Sequence, residues 1–467
     1  MDTSLHPSMV PLLLKTAANY LSDLDRLKIK NLNQLKRIRD KNFIKLVNYA
    51  KKVPLYQDKF KENRINPKKI KGFEDIEKFP IINREDIVRK NNMDLIRPGY
   101  EKNAILSRTS GSTRTPVSIY QDRFTLLKSL ILYSRELKYY GLKWNKSRFS
   151  LIANFYSDTA PTQYFSSGAN PAFKPLSFAF STDNIQQINC DDDLKSITNR
   201  INDFQPECIM GFPGPIRHMA LLKEKGLGEK IKPRCIISTG AILDKYEKKN
   251  IEEIFDTKVY DIFNSNEGGP ISFECKNGNH HIHSDVVYLE VIDKKGNVKD
   301  IGKEGILSIT RTYGQGTPLI RYTGMGDIIS LKDETCDCGL NSELMELVHG
   351  RIKECIVLPN GKIIYPRTLM EVVGYVLRKF KTNKLYMNQF IQRSLEKIEV
   401  RVIIDEELRD QDPPTDIFLK ELEKEYRRIF GEDVELEVKE VKELLSEDDR
   451  PDSKPGIISK IDVKKYI

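Results

Sequence analysis

Apolar residues recur at helical spacing through Leu32, Leu35, Ile38, Phe43, Ile44, Leu46 and Val47, so the basic stretch from about Ser22 to Asn63 is expected to be helical. Val53-Pro54-Leu55-Tyr56 breaks that pattern, and Asn83-Arg84-Glu85-Asp86 reads as a helix start with carboxylates in its first turn. Further on, short apolar runs alternate with amphipathic stretches. Strands are expected over Ser150 to Phe155, Cys208 to Phe212, Arg234 to Ser238 and Val259 to Phe263. Helices are expected over Phe124 to Tyr140, Asp191 to Phe204, the segment ending at Leu221, and Leu243 to Phe255. Strands alternating with helices predict a layered α/β domain with a partly parallel sheet.

From about Val286 the pattern turns to β, with strands expected over Val287 to Asp293 and Gly305 to Thr310. Past Gly350 a hairpin is expected around Asn360-Gly361, followed by helix Met370 to Phe380, strand Lys397 to Ile404, charged helix Asp416 to Phe430 and strand Val434 to Val438. The expected organisation is a large α/β core over 1–350, with a β-rich subdomain at about 286–349, and a small α+β lid over 351–467.

Composition narrows the class. The 467 residues are 39% hydrophobic and 31% charged, which describes a globular chain. Lys and Arg outnumber Asp and Glu by 76 to 67, an excess that suits an anionic ligand without calling for nucleic acid. The basic run Lys68-Lys69-Ile70-Lys71 has no interleaved aromatic residues and reads as a solvated face. No apolar run reaches membrane-spanning length. Met9 to Leu14 is apolar but contains Pro11, precedes Lys15 and lacks a secretory pattern, so it is expected to belong to the mature chain. Seven cysteines spread along the chain argue against a disulfide framework and for a reducing cytoplasm.

Five stretches carry candidate chemistry. In Thr109-Ser110-Gly111-Ser112-Thr113-Arg114-Thr115-Pro116, hydroxyls and a glycine lie between two β-like runs, an arrangement that suits phosphate oxygens. It is no Walker loop, for no Gly-Lys-Ser/Thr follows. Ser265-Asn266-Glu267-Gly268-Gly269 puts an acid just past a strand end, where open α/β sheets bind ligands. Asp327 closes the Gly-rich turn that begins Arg321-Tyr322-Thr323-Gly324, and its carboxylate can accept from two ribose hydroxyls. Gly350-Arg351-Ile352-Lys353 lies at the expected domain boundary, and Ser459-Lys460-Ile461 near the C-terminus. Singly, each is as well explained as a turn or a surface charge.

In this order and spacing the set resembles the adenylate-forming superfamily of acyl-CoA synthetases, peptide-synthetase adenylation domains and luciferases. It is most similar to the phenylacetate–CoA ligase family, including relatives found with polysaccharide-synthesis genes. Leu46-Val47-Asn48-Tyr49-Ala50, Phe79-Pro80-Ile81-Ile82, Ile237-Ser238-Thr239-Gly240-Ala241 and Pro318-Leu319-Ile320-Arg321-Tyr322 also carry the likeness.

The resemblance implies that Thr109, Ser110, Gly111, Ser112, Thr113 and Thr115 hold ATP phosphates. Gly240 and Ala241 would pack along the adenine, Phe263 would stack on it, and Ser265 would belong to the same nucleotide site. Asp327 would bind the ribose with Arg351 assisting, and Glu267 would ligate Mg²⁺. Lys353 would stand at the hinge of the lid, and Lys460 would be the catalytic lysine on it. The implied activity is an ATP-dependent ligase that adenylates a small carboxylic acid, releases pyrophosphate and passes the acyl group to CoA or another thiol or amine. AMP transfer to a cofactor hydroxyl, or an ATP-binding scaffold that has lost catalysis, are the alternatives.

The chain departs from the family pattern in places. Arg114 replaces a usual glycine, Asn264 replaces another, and no Gly directly precedes Lys460, which leaves Lys454 as its rival. Phe155, Tyr156, Phe165, Phe212 and Pro213 are candidates for an acid pocket or an ordinary aromatic core. Cys275, His281, Cys336 and Cys338 form a candidate structural Zn²⁺ set, with His280 as the alternative to His281.

Overall fold

The structure is a computed structural model describing residues 10–108, 116–155, 183–446 and 455–467. The expected helical stretch near the N-terminus is broken into the one-turn helix Arg26–Ile29 and two longer helices. Leu32–Ala50 starts on a capping box in which Asn31 and Gln34 satisfy each other's backbone N–H groups. It buries Leu35, Phe43, Leu46, Val47 and Ala50. Pro54 then opens Pro54–Glu62 at a position where its missing N–H costs nothing. The Asn83 and Asp86 capping box starts the short helix Arg84–Val88.

One twelve-stranded sheet organises the larger part of the molecule. Its parallel half runs in the spatial order Ile185–Asn189, Phe149–Ala153, Cys208–Gly211, Cys235–Thr239 and Lys258–Ser265. Ile152, Ile188, Ile209, Ile236 and Val259 pack on one face with Ile197, Ile216 and Ile251 from helices Leu194–Phe204, Pro213–Glu224 and Lys245–Phe255. Leu137 of helix Arg123–Tyr139 joins the cluster that includes Cys208, Cys235 and Ile237.

Lys258–Ser265 pairs parallel on one side and antiparallel with Gly269–Glu274 on the other. The antiparallel half continues through His280–Ile282, Leu344–Arg351, Asp327–Lys332, Gly305–Arg311 and Val287–Ile292, with Leu319–Tyr322 beside Gly305–Arg311. Antiparallel pairing therefore begins before residue 286. The strand Gly269–Glu274 is buried at every position, so no alternation marks it in the sequence.

A four-stranded sheet lies near the C-terminus in the order Glu435–Glu440, Lys397–Ile404, Leu385–Gln392 and Ile457–Ser459. Helices Pro366–Phe380 and Thr415–Phe430 pack on it through Leu369, Val376, Phe418, Leu422 and Tyr426. Leu385–Gln392 was not expected from the sequence. Its buried Gln389 and Gln392 donate to the carbonyls of Leu445, Pro455 and Val357, and these polar core positions hide the strand's pattern. Among the described residues no helix is long and apolar enough to cross a membrane.

A buried ionic cluster ties the N-terminal segment to the sheet. Asp285 accepts from Arg135 at 2.9 and 2.8 Å and from Arg26 at 2.9 Å, while Asp23 pairs with Lys128. Asp285→Ala strands the Arg135 guanidinium without its carboxylate and leaves Arg26 with Asp23 alone. It is expected to cost about 3–5 kcal/mol, read as a shift in the denaturant midpoint. A loss under about 1 kcal/mol would mean that the cluster does not hold this segment.

Candidate functional site

Chain reversals at the ends of strands build the site. Ser265 ends the last parallel strand, and its Oγ accepts from Gly268 N at 2.7 Å, which closes the turn. Gly269 has φ +69°, and a Cβ there would lie 2.4 Å from the Tyr313 hydroxyl, so glycine is required. Arg311 Nη1 donates to the Glu267 carbonyl at 2.7 Å. Asn266 Oδ1 accepts from Ser107 at 2.8 Å and from Gln121 at 3.2 Å. These two residues lie on the antiparallel strands Ala104–Arg108 and Ser118–Asp122. Thr109, Ser110, Gly111, Ser112, Thr113, Arg114 and Thr115 lie outside the described residues, but their two flanking strands are thus fastened to the Glu267 turn.

Glu267 is 5% exposed. Burial pushes its carboxyl above the ordinary range, against the pull of Arg84, Arg351 and Arg311. Asp327 begins its strand directly opposite Arg351, whose Nε lies 3.9 Å from the carboxylate. Burial nevertheless raises Asp327 to about 7, with Arg351 opposing the rise and Glu267 and Glu354 adding to it. Two neighbouring buried acids that repel each other form a site suited to a cation or to hydroxyl donors. Glu267 thus meets the chemical demand of a Mg²⁺ ligand, and Asp327 that of a ribose acceptor.

The other expected residues fall around this centre or on its approach. Gly240 has φ +80°, and a Cβ there would lie 2.3 Å from the Phe212 ring, so the turn with Ala241 lies flat against that ring. The hydroxyls of Ser238 and Thr239 just before it are buried without a partner among the described residues. Phe263 is half-buried against the main hydrophobic core. Lys353 lies in the short turn Ile352–Glu354, beside which strand Ile457–Ser459 packs. Lys460 follows that strand with an exposed side chain, and its N–H donates to Gln392 O at 3.0 Å. Ile461 and Val463 join a cluster with Ile328, the residue after Asp327, so the Lys460 segment is docked beside that strand. Of the aromatic candidates, Phe155 and Phe212 are half-buried and Pro213 is buried; Tyr156, Phe165 and the rival lysine Lys454 lie outside the described residues.

Sequence reasoning missed Arg84 and Arg311. Arg84 sits inside a capping box that signals only a helix start, and Arg311 ends a strand as an ordinary polar residue. The pairing of Ile82 with Tyr322 brings the Arg84 segment to the site.

Cys275, His281, Cys336 and Cys338 come together with their ligand atoms all within 4.8 Å of one another. The Cys275 and Cys336 sulfurs are 3.7 Å apart, and Cys338 Sγ lies 3.2 Å from His281 Nε2. Tetrahedral Zn²⁺ with Zn–S bonds of about 2.3 Å requires S···S edges of about 3.8 Å. The outer contacts also suit a metal: Ser342 Oγ sits 3.0 Å from His281 Nδ1, and Asn279 donates to Cys336 Sγ at 3.4 Å. His280 faces away, with Nε2 3.8 Å from Asp261.

No family model matches the chain. It is 24% identical to protein CapK of Staphylococcus aureus over 419 residues, covering 88% of this chain and 86% of that protein. It is 23% identical over 349 residues to the phenylacetate-coenzyme A ligase of Thermus thermophilus, covering 73% of this chain and 75% of that enzyme. Among solved structures, 2-hydroxyisobutyryl-CoA ligase in its post-adenylation state superposes with a TM-score of 0.74 at 18% identity, over 94% of this chain and 92% of that one. The chain groups with the adenylate-forming superfamily, near the phenylacetate–CoA ligases. Against the thioester-forming state of the same 2-hydroxyisobutyryl-CoA ligase, coverage is unchanged but the TM-score falls to 0.60. The fold of this chain thus superposes better on the first of these two structures.

An acid whose pKa is raised on folding contributes least stability once pH exceeds its folded value. Asp327, about 7 when folded against an ordinary 3.8, therefore costs the fold progressively more stability between about pH 4 and pH 7. Asp327→Asn is expected to flatten that part of the stability–pH curve, measured by urea unfolding at pH 5 and pH 7.5. An unchanged slope would contradict the burial argument.

Proposed function

We propose that this chain is an adenylate-forming ligase that activates a small carboxylic acid with ATP and passes the acyl group to an acceptor. The pair of buried acids Glu267 and Asp327, the first in a turn fastened to the strands that flank the hydroxyl-rich loop, carries this reading. Thr109 to Thr115 bind the phosphates. Gly240, Ala241 and Phe263 hold the adenine, Asp327 and Arg351 the ribose, and Glu267 the Mg²⁺. Mg²⁺, when bound, offsets phosphate charge.

A carboxylate oxygen of the acid attacks the α-phosphorus, and the bond to the bridging oxygen breaks to release pyrophosphate. Two anions meet in this step, so its barrier is largely electrostatic. Lys460 Nζ supplies a cation where that charge develops. The acceptor's sulfur or nitrogen then attacks the acyl carbon and AMP leaves. A coenzyme A thiol is the favoured acceptor, because several relatives of this chain are named coenzyme A ligases. An amine is the alternative acceptor. We place the core at 1–350 and the lid at 351–467, and the protein in the cytoplasm.

Zn²⁺ held by Cys275, His281, Cys336 and Cys338 is structural. It clamps the antiparallel half of the sheet at His280–Ile282 to the loop before Leu344–Arg351.

Pyrophosphate exchange into ATP, run with a panel of aromatic and aliphatic acids, is expected to depend on one of the acids. Lys460→Ala is expected to lower that exchange by about three orders of magnitude while ATP affinity stays within about twofold, a loss confined to the transition state. An unchanged exchange rate would remove Lys460 from its role. Elemental analysis of protein purified without chelator is expected to find about one zinc per chain, lost in Cys336→Ser. A stoichiometry near zero would refute the metal assignment.

A further inference from the structure

The C-terminal unit meets the core through helix Pro366–Phe380, which packs against both helix Lys245–Phe255 and strand Leu344–Arg351. One arginine of that contact reaches further than the rest. Arg367 is the second residue of its helix, and its Nε donates to Val348 O at 2.7 Å while Nη1 donates to Leu243 O at 3.2 Å. Val348 lies in the strand that runs into Gly350-Arg351, and Leu243 lies two residues past Ala241. A single rigid fork thus joins the hinge strand to the carbonyl that follows the Gly240–Ala241 turn.

The surroundings make this contact specific. Asp261, Glu371 and Asp244 are the acids around the guanidinium, and His280 and His349 also feel its charge. Asp244 already caps helix Lys245–Phe255 by accepting from Tyr246 N at 2.8 Å and Glu247 N at 3.0 Å. Gly374 packs so closely that a Cβ there would come within 2.4 Å of the same Asp244 oxygen. Gly350 in turn is pressed against Pro366, at 2.5 Å from where its Cβ would be. The packing therefore fits one placement of helix Pro366–Phe380, and Arg367 spans it.

We propose that Arg367 is a positioning residue that couples filling of the adenine site to docking of the C-terminal unit. This rests on the reading of Gly240–Ala241 as the adenine turn. Adenine that fixes the 240–243 turn also fixes the Leu243 carbonyl on which Arg367 docks. Reciprocity then requires docking to raise affinity for adenine nucleotides. The triphosphate alone makes no such demand, for the Arg367 contact runs through the carbonyl of Leu243, next to the proposed adenine turn.

The full-length protein is tested by calorimetric titration with ATP and with inorganic tripolyphosphate, and by hydrogen exchange of the 366–380 peptide with each bound. In the wild type, ATP is expected to slow exchange in that peptide and tripolyphosphate is not. Arg367→Ala is expected to weaken ATP by about 5- to 20-fold, leave tripolyphosphate within about twofold, and abolish the ATP-dependent protection. Arg367→Lys keeps the charge but loses the fork, and is expected to fall between. Equal ATP-dependent protection in Arg367→Ala and wild type would overturn the proposal, as would equal loss of affinity for both ligands. Absence of ATP binding by the wild type would instead overturn the nucleotide-site reading itself.

Discussion

The reversal at Ser265 to Gly269 is the constraint on which the rest depends. A strand that is parallel to one neighbour and antiparallel to the next must turn back within a few residues, and here it does so with its acid pointed inward. Burial of Glu267 is unfavourable in isolation. It is sustained because Arg311 grips the backbone of the turn, Ser265 closes it, and Asn266 is fixed by Ser107 and Gln121. The same four contacts decide where the hydroxyl-rich loop leaves the fold.

From that turn the two halves of the sheet divide the work. The parallel half offers its strand ends, with the Gly240 turn lying on the Phe212 ring. The antiparallel half brings Asp327 and Arg351 into register on adjacent strands, then continues through Gly350 into the C-terminal unit. One strand, Leu344–Arg351, therefore carries Arg351 opposite Asp327, backs the Cys/His cluster at its start through pairing with His281, and supports Arg367 at Val348 O. Displacing it would disturb all three.

How much was legible in the sequence follows from what each residue must do. Glu267 and Asp327 were visible because tight turns need small residues and the acids stand beside them. The parallel strands were visible as short apolar runs between amphipathic helices. Gly269–Glu274 was not, since burial on both faces removes alternation, and Leu385–Gln392 was not, since its core positions include hydrogen-bonded glutamines. Cys275, Cys336 and Cys338 were legible as candidate metal ligands by residue type, and the structure brings them together with His281. The choice of His281 over His280 needed strand register, because adjacent residues on a strand face opposite ways. Arg84 and Arg367 were beyond reach: each is an ordinary helical arginine until a distant segment of chain is folded against it.

The central claim is that these buried acids serve an acyl-adenylate. The most direct test is to incubate the protein with ATP, Mg²⁺ and the small-molecule fraction of a cell extract, and to search by mass spectrometry for AMP joined to a carboxylic acid with loss of water. The account predicts a protein-dependent species of that kind, accompanied by pyrophosphate and destroyed by hydroxylamine. Bound ATP with neither a mixed anhydride of AMP nor pyrophosphate, across extracts rich in organic acids, would contradict it.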